Sequence, residues 1–333
     1  DPMSVIDIHA HLTPERFRRA VQSGGTWHGM TSDEGELGNL RNSWSVAQRV
    51  QEMDSLGIDV QVVSSVDAFY RYDDDRSTAI AIARDCNDEV AQMTLDHAER
   101  FMGLCNLPMG DVSASIDELE RGMTELGLKG AMVNDHVNGR TYDEPEFRPF
   151  WQVAERLGAL IFIHQGDPTL VTARSERYHL FNTIGNLVDR TVTFASLVFG
   201  GVMDSFPDLK ICLAHGGGYA CFGIGRMDRG WQVRPEARTH LQTPPSEYLR
   251  RFYYDTVTYD DATLRMLIDT VGVDRILFGT DWPADMRIEN PVPWLNGLDF
   301  LTSNDTRMIH CGNLQRMLGN YPHSVPTDAR AVT

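Results

Sequence analysis

Four apolar runs in this chain each end in a side chain that can bind a metal ion. They are Val5-Ile6-Asp7-Ile8-His9-Ala10-His11, Leu160-Ile161-Phe162-Ile163-His164, Ile211-Cys212-Leu213-Ala214-His215 and Ile276-Leu277-Phe278-Gly279-Thr280-Asp281. Strand side chains alternate faces, so His9 and His11 point the same way and can grip one ion together. A divalent transition ion favours imidazole nitrogen and carboxylate oxygen, with a position left open for water or substrate. His9, His11, His164 and Asp281 supply three nitrogens and one oxygen. Taken singly, each has a plainer reading: a hydrogen-bonded core histidine, or an aspartate capping a loop. Their common place at strand ends carries the metal reading.

His215 is the expected base. A metal ion lowers the pKa of a water it binds from about 15.7 to about 7, and a neighbouring imidazole can take the proton. The following Gly216-Gly217-Gly218 let backbone or substrate come close to that ring. His215 could instead serve a second ion. However, the fourth strand reads Ala131-Met132-Val133-Asn134, with no Lys or Glu to bridge two ions, so one ion is expected.

A scaffold must bring these strand ends to one rim. Eight short apolar segments read as strands: Ser4–His9, Val60–Val66, Met102–Pro108, Gly130–Val137, Leu160–Gln165, Lys210–His215, Phe252–Val257 and Arg275–Asp281. Between them, Ala47–Leu56, Thr78–His97, Ala114–Leu126, Pro145–Leu157, Thr191–Ser205 and Asp261–Val271 place apolar residues at helical spacing. Gly57, Gly127 and Gly158 suit helix C-terminal caps. Alternation of this kind predicts an α/β fold, a (β/α)8 TIM barrel whose catalytic rim lies at the carboxyl ends of the strands. One domain is expected over residues 3–320. It carries a turn-rich insertion at 12–45 with few helical features, a long loop at 166–190 after the fifth strand, and a loose tail at 321–333.

Composition narrows the chemistry further. The formal net charge of −17 argues against nucleic acid or an anionic membrane as partner. No apolar run approaches the ~20 residues needed to cross a bilayer, and no signal-peptide pattern is visible. Five cysteines without paired spacing predict reduced thiols and a cytoplasmic location. The only lysines are Lys129 and Lys210, one just before a strand and one at the start of a strand, and so at the end of the barrel away from the histidines. A Schiff-base or metal-bridging lysine at the catalytic rim is therefore not expected.

The motifs Asp7-Ile8-His9-Ala10-His11, His164-Gln165-Gly166-Asp167, Ala214-His215-Gly216-Gly217-Gly218 and Gly279-Thr280-Asp281-Trp282-Pro283 resemble the amidohydrolase superfamily. More narrowly they resemble its decarboxylase branch, typified by α-amino-β-carboxymuconate-ε-semialdehyde decarboxylase. The resemblance runs nearly end to end. It implies His9, His11, His164 and Asp281 as ligands of one Zn²⁺, with Mn²⁺ or Co²⁺ also fitting, and His215 as the residue that activates water. It further implies Arg41 and Arg226 as holders of a substrate carboxylate, the second reaching in from a neighbouring subunit of a homodimer or higher homo-oligomer. A guanidinium can take a carboxylate through two parallel hydrogen bonds. This chain departs from the branch at Gln165-Gly166, at Tyr178-His179-Leu180-Phe181-Asn182, and at Trp282 where a tyrosine is usual. His179, Phe181 and Trp282 are accordingly expected to line a pocket for a different small-molecule carboxylate.

The leading expectation is a metal-dependent non-oxidative decarboxylase of an aromatic or unsaturated acid, with His215 or Asp281 handling protons. The alternative is a hydrolase or hydratase of a lactone, amide or enol acid using the same activated water. A non-catalytic barrel serving as a binding partner is a third reading. Its difficulty is the intact ligand set.

Overall fold

The computed structural model describes residues 4–319, so the expected tail lies outside the described residues. Eight strands follow the expected order: β1 (Ile6–Leu12), β2 (Val60–Ser65), β3 (Phe101–Gly103), β4 (Gly130–Val133), β5 (Leu160–Ile163), β6 (Lys210–Leu213), β7 (Tyr253–Asp255) and β8 (Ile276–Leu277). Each ladder between neighbours is parallel. The ladders form a sheet of three strands, β1-β2-β3, and a sheet of five, β4 to β8.

Isolated parallel bridges join the two sheets at both seams, Cys105 with Ala131 and Ala10 with Trp282. The first seam carries Cys105 N–H to Gly130 O at 2.8 Å; the second carries His11 N–H to Trp282 O at 2.7 Å and Asp281 N–H to His9 O at 2.9 Å. The architecture is that of a TIM barrel, with bridges rather than continuous ladders at the seams.

The strands are shorter than the apolar runs suggest, because the chain leaves the ladder before the hydrophobicity ends. After β3 single bonds carry the pairing on, Leu104 N–H donating to Val63 O at 2.9 Å and Cys105 N–H to Gly130 O at 2.8 Å, and beyond them Asn106 Nδ2 donates to Phe69 O at 2.6 Å. After β8 the chain meets β1 through Phe278 O, which accepts from Ile8 N–H at 2.9 Å, while Phe278 N–H donates to Ile309 O at 3.1 Å. β1 is longer than expected and includes His11, with a register irregularity between Asp7 and Ala10.

The α-helices are α1 (Glu15–Val21), α2 (Val46–Leu56), α3 (Arg76–Asp96), α4 (Val112–Thr124), α5 (Arg148–Leu157), α6 (Asn186–Phe199), α7 (Val202–Ser205), α8 (Ala220–Val233) and α9 (Asp261–Val271), followed by the short α10 (Pro291–Asn296), α11 (Ser303–Arg307) and α12 (Asn313–Leu318). Aspartate side chains cap several starts: Asp75 accepts from Ser77 and Thr78 N–H, and Asp260 from Thr263 N–H. Gly57 and Gly158 close α2 and α5 in the left-handed region, whereas α4 ends at Thr124, before Gly127 is reached.

Three segments depart from expectation. The insertion at 12–45 contains α1, whose Phe17 is buried against Trp27 and Phe69. The helix expected over 191–205 begins at Asn186, continuing a π-helical turn over Phe181–Gly185, and breaks at Gly200-Gly201, so the long loop after β5 is shorter by ten residues. Helix α8 carries Gly223, Gly225 and Gly230 and exposes Phe222, which blurs its amphipathic pattern in sequence.

Beside the end of β6 lies a buried ion pair. Arg190 of α6 holds both carboxylate oxygens of Asp135, at 2.6 and 3.0 Å, and donates to Ala214 O at 2.5 Å, directly before His215. Neither side chain is more than 2% exposed. Asp135→Ala would strand the guanidinium in the core, with an expected cost of about 3–5 kcal/mol in urea unfolding. Replacing both residues by apolar ones should cost less, which separates a stranded charge from lost packing.

Candidate metal centre

β1 presents His9 and His11, the end of β5 presents His164, and the turn after β8 presents Asp281. One ligand atom from each lies within 4.8 Å of the others, and all four residues are buried. This is the one such group of three or more among the described residues. Hydrogen bonds fix which nitrogen of each ring faces the cluster. His9 Nδ1 lies 2.7 Å from Asp255 Oδ2, His164 Nδ1 lies 3.0 Å from Gln165 O, and His11 Nδ1 lies 3.4 Å from Ser64 Oγ. The three Nε2 atoms are buried without a hydrogen-bond partner. Those of His9 and His11 approach Asp281 Oδ1 at 3.0 and 3.4 Å, outside hydrogen-bond geometry. Three unpartnered imidazole nitrogens and a carboxylate converging on one point form a donor set that fits one divalent ion.

Electrostatics support the same reading. Burial works against protonation of His9, but the carboxylates of Asp281 and Asp255 prevail and raise its pKa to about 10. Burial lowers His11 to about 4 and carries His164 well below its usual value. Burial would raise Asp281, yet the surrounding imidazoles hold it well below the carboxylate range. The ion-free cluster thus keeps one proton where a cation would sit. Binding of a divalent ion at neutral pH should release about one proton, and apparent affinity should climb roughly tenfold per pH unit between the His11 and His9 values. Calorimetry in two buffers of different ionisation enthalpy measures this; no buffer dependence would contradict it.

Asp255, at the end of β7, is a residue that the sequence reading did not single out. Its Oδ2 orients His9, while its Oδ1 accepts from Gly216 N–H at 2.9 Å. It therefore ties a candidate ligand to the turn that carries His215. Its position at the carboxyl end of the seventh strand was the available signal. Asp255→Asn should weaken ion binding about 10–100-fold, read by competition with a chelator. Asp7, beneath the cluster, accepts from Thr280 Oγ1 at 2.6 Å and from His9 N–H at 3.0 Å. Burial lifts Asp7 to about 6 despite those bonds.

His215 stands beside the cluster, its Nε2 3.4 Å from Asp281 Oδ2. Its backbone is left-handed (φ 53°), as is that of Asp281 (φ 67°), a conformation uncommon for residues with a Cβ. The following glycines are required sterically. A Cβ on Gly217 would lie 2.6 Å from the Tyr254 ring, and one on Gly218 would lie 2.4 Å from Leu187 O. The turn lets His215 and Asp281 face a cavity of about 680 Å³, walled chiefly by α8, α9 and the segment 182–187.

Arg41, Arg226, His179, Phe181 and Trp282 were expected against the substrate, and none of them is among the residues lining this cavity. Arg41 is engaged by both carboxylate oxygens of Glu52, at 2.9 and 2.8 Å. Trp282 is 2% exposed and donates its Nε1–H to Glu52 at 2.6 Å, with the Arg49 guanidinium 4.1 Å from its ring. It braces the turn that carries Asp281 from behind. Arg226 is exposed on α8, one turn from Phe222. His179 and Phe181 pack on each other, ring centroids 4.8 Å apart, at the exposed edge of the loop before α6.

Comparison with known proteins agrees with this geometry. The family model described as amidohydrolase matches residues 6–319. The chain is 30% identical to 2-amino-3-carboxymuconate-6-semialdehyde decarboxylase of Dictyostelium discoideum, across 96% of this chain and 92% of that protein. It is 31% identical to gamma-resorcylate decarboxylase of Rhizobium sp. (strain MTP-10005), across 74% and 79%. The crystal structure of a dihydroxybenzoic acid decarboxylase from Polaromonas sp. JS666, with bound manganese and 2-nitroresorcinol, superposes with a TM-score of 0.81 at 27% identity, covering 95% of this chain and 96% of that one.

Proposed function

The chain belongs to the amidohydrolase family, and from that premise we propose that it is a metal-dependent carboxy-lyase, removing CO₂ from an aromatic or unsaturated carboxylic acid without redox chemistry. His9, His11, His164 and Asp281 would hold one divalent ion. When bound, that ion supplies positive charge to orient the acid and to stabilise negative charge that develops as the carbon–carbon bond breaks. The side chains do the rest. Asp281 and His215, 3.4 Å apart, hold a proton beside the cavity and deliver it to the carbon that loses its carboxylate. The bond to the carboxyl carbon breaks, CO₂ leaves, and a C–H bond forms in its place, consuming one proton per turnover.

The observation that carries this reading is the meeting of three imidazole nitrogens that lack hydrogen-bond partners with a carboxylate beside His215, in a chain similar over most of its length to decarboxylases. The test is to incubate ion-loaded protein with 2,6-dihydroxybenzoate and related hydroxybenzoates and to measure CO₂ and the resulting phenol. Absence of CO₂ from every acid, with cleavage of a lactone or amide and ¹⁸O uptake from labelled water, would overturn the proposal in favour of hydrolysis.

The finer features follow from the same reading. Zn²⁺ is the working ion on the strength of the three imidazole donors, and Mn²⁺, carried by the Polaromonas enzyme, is the natural comparison. The chain acts as one barrel domain in the reducing cytoplasm, a location supported by five free cysteines, four of them buried. It works as a homodimer in which exposed Arg226 serves the neighbouring copy's site. A fully active monomer in solution would remove that role.

A further inference from the structure

Three buried polar atoms on residues that wall the cavity lack a hydrogen-bond partner: Asn186 Oδ1, Thr258 Oγ1 and His215 Nδ1. Buried polar groups in folded proteins are nearly always paired, and leaving one unpaired costs its full desolvation penalty. Contacts within the chain fix where these three residues lie. A Cβ on Gly216 would come 2.8 Å from Thr258 Cγ2, and one on Gly218 would come 2.4 Å from the carbonyl oxygen of Leu187, the residue after Asn186. The turn that carries His215 is thus packed against Thr258 at Gly216 and against the start of α6 at Gly218. That placement does not depend on what a neighbouring copy brings to α8.

Asn186 is the first residue of α6 and is 5% exposed. An amide oxygen only accepts hydrogen bonds, so it repels a carboxylate and takes an O–H or N–H. His215 Nδ1 belongs to the residue that handles the proton, and Thr258 Oγ1 can either donate or accept. We infer that Asn186 is a specificity-determining residue, its Oδ1 accepting a hydrogen bond from a hydroxyl or amino group that the substrate carries besides its carboxylate. The inference rests on the carboxy-lyase reading and assigns to it a residue that selects among acids. Thr258 Oγ1, unpartnered on the same wall, offers a polar contact to the same ligand. An acid with a methyl group in place of the hydroxyl would leave Asn186 Oδ1 buried and unpaired, and the site would reject it on that ground.

The test compares 2-hydroxybenzoates carrying a hydroxyl, an amino or a methyl group at C3, C4, C5 or C6, with kcat/KM for CO₂ release measured on the ion-loaded protein. Methyl is close to the other two in size and donates nothing. Ring electronics act alike on wild type and variant, so the readout is the change in the donor-to-methyl ratio. Asn186→Leu should lower that ratio roughly 5- to 150-fold in at least one positional series, the span expected of a buried acceptor left unpaired. Asn186→Ala, which cannot overpack the wall, should lower it likewise, and ion content near one per chain shows that both variants fold. Calorimetric binding of catechol, resorcinol and hydroquinone against the matching methylphenols makes the same comparison without turnover. A ratio that neither substitution moves overturns the inference. So does a loss that falls on every acid alike, is matched by Arg226→Gln and does not deepen in the double variant, because Asn186 would then meet the neighbouring copy's Arg226. If no acid releases CO₂ while the diphenols bind more tightly than the methylphenols and Asn186→Leu removes the difference, the carboxy-lyase reading fails and the role of Asn186 stands.

Discussion

Stripping the divalent ion with a chelator is expected to lower CO₂ release by on the order of 10³–10⁴, and returning one equivalent per chain is expected to restore it. The size follows from several kcal/mol of transition-state charge stabilisation, each 1.4 kcal/mol or so being a factor of ten. The stoichiometry follows from there being one cluster of four convergent donors among the described residues. The fold should survive the treatment. Without the ion, His9 keeps a proton between the carboxylates of Asp281 and Asp255, which raise its pKa to about 10 against the opposing effect of burial. A charged imidazole thus compensates the buried carboxylates. Circular dichroism of the stripped protein should match that of the loaded one, and metal content should track activity on titration. Full activity of the stripped protein would show that the cluster is structural.

His215→Asn is expected to keep the ion and lose turnover by about 10²–10⁴, the usual worth of a positioned acid–base group. His215 stands outside the set of four convergent donors, so ion content should stay near one per chain. Its backbone lies at φ 53°, and asparagine is among the residues that tolerate that region, so the turn into Gly216 should hold its shape. The loss should fall on kcat more than on KM, because the imidazole acts on a proton rather than on the resting acid. An unchanged kcat would pass the proton transfer to Asp281 alone.

The strand ends were legible in sequence because a strand buried on both faces is a continuous apolar run, and its last residue stands out when it is polar. His9, His11, His164 and Asp281 could be grouped on that ground. Asp255 closes the seventh strand in the same way, but a lone aspartate gives no sign of a histidine 246 positions away whose ring it orients. The same holds for Asp135 and Arg190, which meet across 55 positions. Helix α8 was hidden because its glycines and its outward Phe222 break the periodicity by which a surface helix is recognised.

The pocket residues show the limit most clearly. Loops after barrel strands carry no periodicity, so nothing in the order of residues tells which way a side chain turns. Arg41 and Trp282 both turn to Glu52, and Arg226 stays on the surface. By itself the sequence determined the barrel, the four-residue donor set and the chemistry those donors favour, because strand periodicity and ligand chemistry are local properties. Only the tertiary structure decided which ring nitrogen faces the cluster, which carboxylate orients it and how apolar the cavity beside His215 is. Those depend on contacts between segments far apart in the chain, fixed only when the strands close side by side.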